Sequence, residues 1–206
     1  MLIWTGSIRR ESESVLFLDR DGVINRDSPH YIKHWGEVEF YPDALDSLRW
    51  LRERGIATIL ISNQSGLGRG IIAWKDFWEM HERMVAAIRE HGGDIMAAFF
   101  CPHRPDEGCS CRKPKPGMIL TASHLFSFPV ERTFMIGDRW KDVAAMIQAG
   151  GTGVMLNREG RSGCQDHGAV GLPRVPVYPT LLSAVTRLPW SETAPPASSA
   201  MNRGDR

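Results

Sequence analysis

Five short apolar runs divide residues 15–156, and a stretch of helical period lies between each run and the next. The runs are "VLFLD" (15–19), "IATILIS" (56–62), "IMAAFF" (95–100), "RTFMIG" (132–137) and "GVML" (153–156). None alternates apolar with polar residues, so each reads as a strand buried on both faces, the pattern of a parallel sheet. Between them, "PDALDSLRWLRERG" carries Leu45, Leu48 and Leu51 at helical spacing, with Gly55 placed to end the helix. Residues 75–91 repeat Phe77, Trp78, His81, Met84, Val85 and Ile88 along one stripe, and helices are expected over 116–126 and 141–149. The fold class is therefore α/β, a Rossmann-like parallel sheet with helices on both faces. One domain is expected over 15–190, preceded by an extension (1–14) and followed by a polar, proline-bearing disordered tail (191–206). Residues 25–40 read as irregular.

Composition excludes several function classes. At 206 residues and a net charge of +1, the chain has no basic excess that would point to nucleic acid or to an anionic membrane. No apolar run approaches the roughly 20 residues that span a bilayer. "MLIWTGSIRRESES" lacks the order of a secretory signal. A cytoplasmic location is expected, with no nucleic-acid or membrane partner and a monomeric state.

In a sheet of this kind, ligands bind outside the carboxyl ends of the strands. The first strand ends at Asp19 and continues through Asp21, the second ends at Ser62, the third opens into "CPHRPDEGCSCRKPKPG", and the fourth ends at Asp138. Gly22 turns the chain, so Asp19 stays on the strand end while Asp21 lies in the loop. One carboxylate can attack as a nucleophile while its neighbour handles protons. Asp138 adds an oxygen ligand suited to Mg²⁺, and Ser62 and Lys113 supply donors to phosphate oxygens. Enzymes accelerate phosphate-monoester hydrolysis by up to ~10²¹-fold, on the order of 28 kcal/mol. A single oxyanion donor contributes about 2.7–4 kcal/mol, so the whole set is needed.

"FLDRDGVIN", "ISNQSGLGRG", "CRKPKPGM" and "IGDRWKD", in this order, resemble the haloacid-dehalogenase-like phosphatases. Within that superfamily they resemble the D,D-heptose 1,7-bisphosphate phosphatases, relatives of the histidinol-phosphate phosphatases. The resemblance implies that Asp19 is the nucleophile, that Asp21 is the general acid and base, and that Ser62 and Lys113 stabilise the phosphoryl group. It further implies Mg²⁺ held by Asp19, the carbonyl of Asp21 and Asp138, with Asn63, Gln64, Ser65 and Arg112 meeting a phosphorylated sugar. Asp27 and Tyr31, in "RDSPHYIK", match the substrate-contacting segment loosely. The implied reaction removes the 7-phosphate of D-glycero-D-manno-heptose 1,7-bisphosphate.

Cys101 and His103 are alternate residues, as are Cys109 and Cys111, so each pair can point to one side of an extended segment. The intervening "RPDEG" can turn the chain back and bring all four to one tetrahedral Zn²⁺. Cys111 directly precedes Arg112 and Lys113, so fixing its thiolate fixes where both cations emerge. Cys164 reads as a free loop thiol. Two other readings stay open, a histidinol-phosphate phosphatase and a zinc-stabilised binding module without catalysis; the intact acids and Lys113 count against the second.

Overall fold

The computed structural model describes residues 1–6, 14–158 and 174–190. Seven strands form one sheet: β1 (Leu2–Thr5), β2 (Val15–Leu18), β3 (Ala57–Asn63), β4 (Ala97–Cys101), β5 (Phe134–Gly137), β6 (Thr152–Leu156) and β7 (Val177–Tyr178). The spatial order is β1-β4-β3-β2-β5-β6-β7, with every neighbouring pair parallel except β1 on β4. The helices are α1 (Ala44–Glu53), α2 (Ser65–Gly68), α3 (Trp74–Glu90), α4 (Gly117–Phe126), α5 (Trp140–Ala149) and α6 (Leu181–Arg187).

Alternate residues of the apolar strands feed two separate cores. Leu16, Leu18 and Leu60 pack with Leu48 of α1, Phe77 and Met84 of α3 and Leu181 of α6. Val15, Phe17 and Ile59 pack on the opposite face with Met118 and Ile119 of α4 and Met146 of α5. Each fully buried Leu or Phe contributes about 1.5–3 kcal/mol relative to exposure, and this two-sided burial makes continuous apolar strands stable. Helix α1 stops where the sequence indicates. Gly55 adopts φ +68°, its N–H bonds Arg52 O at 3.0 Å, and Ile56 N–H bonds Leu51 O at 3.0 Å, a Schellman closure.

The α/β class with helices on both faces is borne out, and the structure adds an edge strand to it. Residues 1–14 are not simply an extension outside the domain: Leu2–Thr5 form the edge strand, with Leu2 opposite Phe100 and Thr5 opposite Ala97. That strand is antiparallel, so the sheet is mostly rather than wholly parallel. Its four residues alternate exposed and half-buried, too short a signal to stand out beside the charged run that follows. The disordered tail (191–206) and Cys164 lie outside the described residues. No helix among the described residues is long and apolar enough to cross a membrane.

The topology places the site. The chain runs from β2 outward through β3 and β4, then returns to the other side of β2 for β5 and β6. β2 therefore lies where the winding reverses, the position at which open sheets of this kind bind their ligands.

Candidate active site

Asp19 follows β2 directly and is held by its N–H bonding Ile136 O at 3.1 Å. Its Oδ1 lies 3.0 Å from Lys113 Nζ. Lys113 is buried and also reaches Asp142 Oδ1 at 2.7 Å and Ile61 O at 2.7 Å, so one ammonium ties together the end of β2, the end of β3 and the first turn of α5. Burial alone would neutralise this lysine, but Asp142 and Asp19 outweigh it and raise its pKa. Asn63 holds the lysine's backbone from both sides: Lys113 N–H donates to Asn63 Oδ1 at 3.1 Å and Asn63 Nδ2 donates to Lys113 O at 3.0 Å.

Asp21 is saturated with donors. Arg20 grips both oxygens through Nε at 3.0 Å and Nη2 at 2.9 Å, Asn25 Nδ2 donates to Oδ1 at 2.9 Å, and Gln64 Nε2 donates to Oδ2 at 2.8 Å. Burial pushes its pKa up, yet Arg20 and the amide donors overcome that and hold it below the usual carboxylate range.

Carboxylate oxygens of Asp19, Asp138 and Asp142 all lie within 4.8 Å of one another. Burial, followed by the charges of Asp19 and Asp142, pushes Asp138 up to about 7. Asp19 rises to about 6, again mainly through burial, with Lys113 opposing. Three carboxylates here face the buried Lys113 ammonium and, at the rim, the Arg139 guanidinium, one positive charge short, so the cluster fits a divalent cation that would supply the rest. Gly22 gives it room: at φ +83°, a Cβ there would collide with the Asp138 carboxylate.

The remaining candidates fall at different depths. Ser62 is buried, with its Oγ accepting from Gln64 Nε2 at 3.0 Å, so Gln64 bridges Ser62 and Asp21. Ser65 begins the short helix α2. Tyr31 adopts φ +64° and lies against Gly66 beside that helix. Asp27 is engaged by Arg139, whose guanidinium also reaches Asp138, at 3.2 and 3.3 Å respectively. Arg112 is half-buried and donates to His103 O at 3.3 Å.

No sequence-based expectation attached to Asp142, although it belongs to this cluster. Its spacing in "GDRWKD", one helical turn beyond Asp138, is the available signal. It is ambiguous because an acid at the third position of a helix caps the N-terminus. Asp142 does that as well, accepting from Arg139 N–H at 3.1 Å.

The cysteine loop closes on itself. Cys101 Sγ lies 3.5 Å from His103 Nδ1 and 3.6 Å from Cys109 Sγ, while Cys111 Sγ lies 3.3 Å from His103 Nδ1 and 3.7 Å from Cys109 Sγ. Zinc bonds of about 2.3 Å to sulfur and about 2.0 Å to nitrogen set tetrahedral edges of about 3.8 Å and about 3.5 Å. The four donors therefore fit one tetrahedral ion. Burial pushes the Cys101 thiol up to about 12, so its thiolate needs a cation beside it.

Acid pair, buried lysine and third acid at the carboxyl edge of a doubly wound sheet define a hydrolase of a recognised kind. Residues 8–150 match the haloacid dehalogenase-like hydrolase family, and the chain belongs to it. It is 34% identical over 184 residues to the D-glycero-beta-D-manno-heptose-1,7-bisphosphate 7-phosphatase of Neisseria meningitidis serogroup B, covering 89% of this chain and 98% of that one. The enzyme of the same name from Pseudomonas putida is 39% identical over 142 residues, 69% of this chain and 81% of the relative. The crystal structure of D,D-heptose 1,7-bisphosphate phosphatase from B. bronchiseptica, complexed with magnesium and phosphate, superposes with a TM-score of 0.77 at 32% identity, covering 84% of this chain and 96% of that one.

Proposed function

We propose that the chain is a magnesium-dependent phosphomonoesterase that removes the 7-phosphate of D-glycero-D-manno-heptose 1,7-bisphosphate. The observation that carries this reading is the buried Lys113 ammonium set between Asp19 and Asp142 in a chain similar to enzymes of that name along most of their length.

In the proposed reaction, Asp19 attacks the phosphorus of the 7-phosphate and the bond to the sugar oxygen breaks, with Asp21, ionised at rest, passing to that oxygen a proton taken from the monoprotonated ester; the proton that Asp21 later takes from water leaves with the inorganic phosphate. Water then attacks the phosphorus held on Asp19, Asp21 takes the water's proton, and inorganic phosphate leaves. Lys113 and the Ser62 hydroxyl donate to the phosphoryl oxygens, and Asp142 holds Lys113 in place. Magnesium would sit on Asp19, Asp138 and the carbonyl of Asp21, which accepts no backbone hydrogen bond among the described residues, and would supply charge neutralisation for the phosphate. Asn63 and Gln64 are assigned to positioning, because their amides are already committed to Lys113, Ser62 and Asp21. Ser65, Arg112 and Tyr31 are assigned to the sugar and its second phosphate. Asp27 sets Arg139 at the rim. The four donors of the cysteine loop would hold one structural Zn²⁺. The reading includes a cytoplasmic, monomeric enzyme, in a compartment where clustered thiols stay reduced.

Comparing kcat/KM for the heptose bisphosphate with that for histidinol phosphate tests the substrate, because the ratio reports differential transition-state binding. The bisphosphate should be preferred by at least about 100-fold, corresponding to roughly 2.7 kcal/mol. Arg112→Ala should lower kcat/KM for the bisphosphate more than for 4-nitrophenyl phosphate. A preference for histidinol phosphate, or equal losses on both esters, would overturn the assignment.

A further inference from the structure

Arg20 stands between the two acids, and only 1% of it is exposed. Its main chain is the hub of the turn that carries them. The N–H of Arg20 donates to Asp19 Oδ1 at 2.8 Å, and its carbonyl accepts from Ile24 N–H at 2.9 Å and Asn25 N–H at 3.3 Å. A guanidinium is costly to bury and is kept in an interior only where an anion matches its donors. Asp21 is the only carboxylate within ion-pair distance of Arg20 among the described residues, while Nη1 is buried with no hydrogen-bond partner. For stability alone, an apolar pair in place of Arg20 and Asp21 would serve about as well, whereas removing Arg20 by itself strands the buried Asp21 charge. What an apolar residue lacks is the planar fork, which fixes the plane of a carboxylate through two parallel bonds.

We propose that Arg20 is a positioning residue that acts through Asp21, holding the plane of its carboxylate for proton exchange with the oxygen that leaves phosphorus. The inference rests on the proton-transfer role proposed for Asp21. Four donors occupy the two oxygens of Asp21, two from the charged fork and two from the neutral amides of Asn25 and Gln64. Charge-assisted bonds are roughly twice as strong as neutral ones. When a substrate oxygen approaches Asp21 it displaces an amide, and the fork keeps the carboxylate in place.

The test compares two esters in kcat/KM, which reports the step that expels the leaving group. An alkyl ester such as a sugar phosphate needs a proton on its departing oxygen, whereas 4-nitrophenyl phosphate expels a stable phenolate and needs little help. Arg20→Met should lower kcat/KM for the alkyl ester by about 10²-fold, and by at least tenfold less for the aryl ester. In an Asp21→Asn background, the same replacement should cost less than about threefold further, because both changes remove one function. Arg20→Lys keeps the charge without the fork and should recover only part of the loss. Should Arg20→Met fail to show a cooperative thermal melt, Arg20→Lys carries the same comparison. Equal losses on both esters, or a full additional loss in the Asp21→Asn background, would reduce Arg20 to a structural residue. If Asp21→Asn itself treats the two esters alike, the proton-transfer role of Asp21 falls and takes this inference with it. If Asp21→Asn discriminates between them and the Arg20 variants do not, the fault lies with Arg20 alone.

Discussion

At Gly22, two constraints meet in one residue: φ is +83°, and the space where a Cβ would sit belongs to the Asp138 carboxylate. Gly22→Ala should therefore cost about 1 kcal/mol of stability or more. It should also raise the magnesium concentration that half-saturates activity, because Asp138 must shift; a titration showing the wild-type requirement would disprove the crowding. Asp19→Asn should abolish turnover while leaving the thermal melt in place, since it removes the attacking oxygen and a metal charge together, and near-wild-type hydrolysis would contradict the covalent route. His81 offers a pH-dependent readout away from the site. Both its ring nitrogens are buried without hydrogen-bond partners, and burial, then Arg20, pulls its pKa down to about 3 from 6.5. The unfolded chain takes up that proton below about pH 6.5 and the folded chain does not, so stability falls on acidification, by about 2 kcal/mol at pH 5. Asp19 and Asp138, raised to about 6 and about 7, bind protons more readily when folded and act in the opposite direction over pH 4–7. The difference between wild type and His81→Phe in magnesium-free urea melts isolates the histidine: the variant should lose less stability between pH 7.5 and pH 5. Residues of this sort divide by what the sequence can express. Asp19, Asp21, Ser62, Lys113 and Asp138 could be singled out because each stands in a motif at a strand end. Asp142 could not be separated from an ordinary capping acid, since its partner Lys113 is distant in sequence and meets it only in the folded chain. The inward turn of Gln64 was hidden for the same reason.

Among the elements, β2 to β6 and helices α1, α3, α4 and α5 were legible because each has a period of its own and apolar residues enough to show it, whereas the four-residue α2 is too short to show one. Strand β1 was not, and it makes contacts that matter. Trp4 meets the ring of His81 edge to face at 4.7 Å, and the Arg89 guanidinium lies 6.0 Å from its ring centroid. The strand covers the edge of β4, which otherwise presents unpaired backbone groups to solvent. At about 1 kcal/mol net per hydrogen bond, with part of an indole removed in addition, deleting residues 1–6 should cost at least about 2 kcal/mol in a urea melt. Activity at 25 °C should survive, because the site lies at the ends of β2, β3, β4 and β5. A truncated protein with unchanged stability would show that β1 is dispensable. Strand β7 and helix α6 went unread for a different reason. β7 has two residues, and Val177 and Tyr178 carry no pattern until Met155 and Leu156 are seen beside them.

Across the whole molecule, the cysteine loop is joined to the sheet at several points. Gln64 N–H bonds Cys101 O at 2.7 Å and Gly68 N–H bonds Pro102 O at 3.0 Å, fastening the start of the loop to the end of β3 and to α2. Lys115 Nζ donates to Gly108 O at 2.9 Å and to Cys109 O at 2.8 Å. At the start of α4, a Cβ on Gly117 would collide with the backbone of Ser110, so the helix is pressed against the loop. Between these ties run Cys111, Arg112 and Lys113, and the lysine ends in the centre of the site. Metal binding by the loop should therefore be felt globally. The purified protein should carry about one equivalent of zinc, and Cys109→Ser should lower that content and weaken activity without touching Asp19 or Asp21. A site held at about 1,000 times its Kd stabilises the folded state by about 4.1 kcal/mol. In a chain of this size, that corresponds to a drop of roughly 10 °C in Tm when a chelator removes the metal. The melt should remain a single transition, and added Zn²⁺, but not Mg²⁺ alone, should restore the original midpoint. Two resolved transitions would mean that the loop unfolds by itself and that Lys113 is placed by the sheet, whereas an unchanged midpoint with no zinc in the protein would remove the metal from the fold altogether.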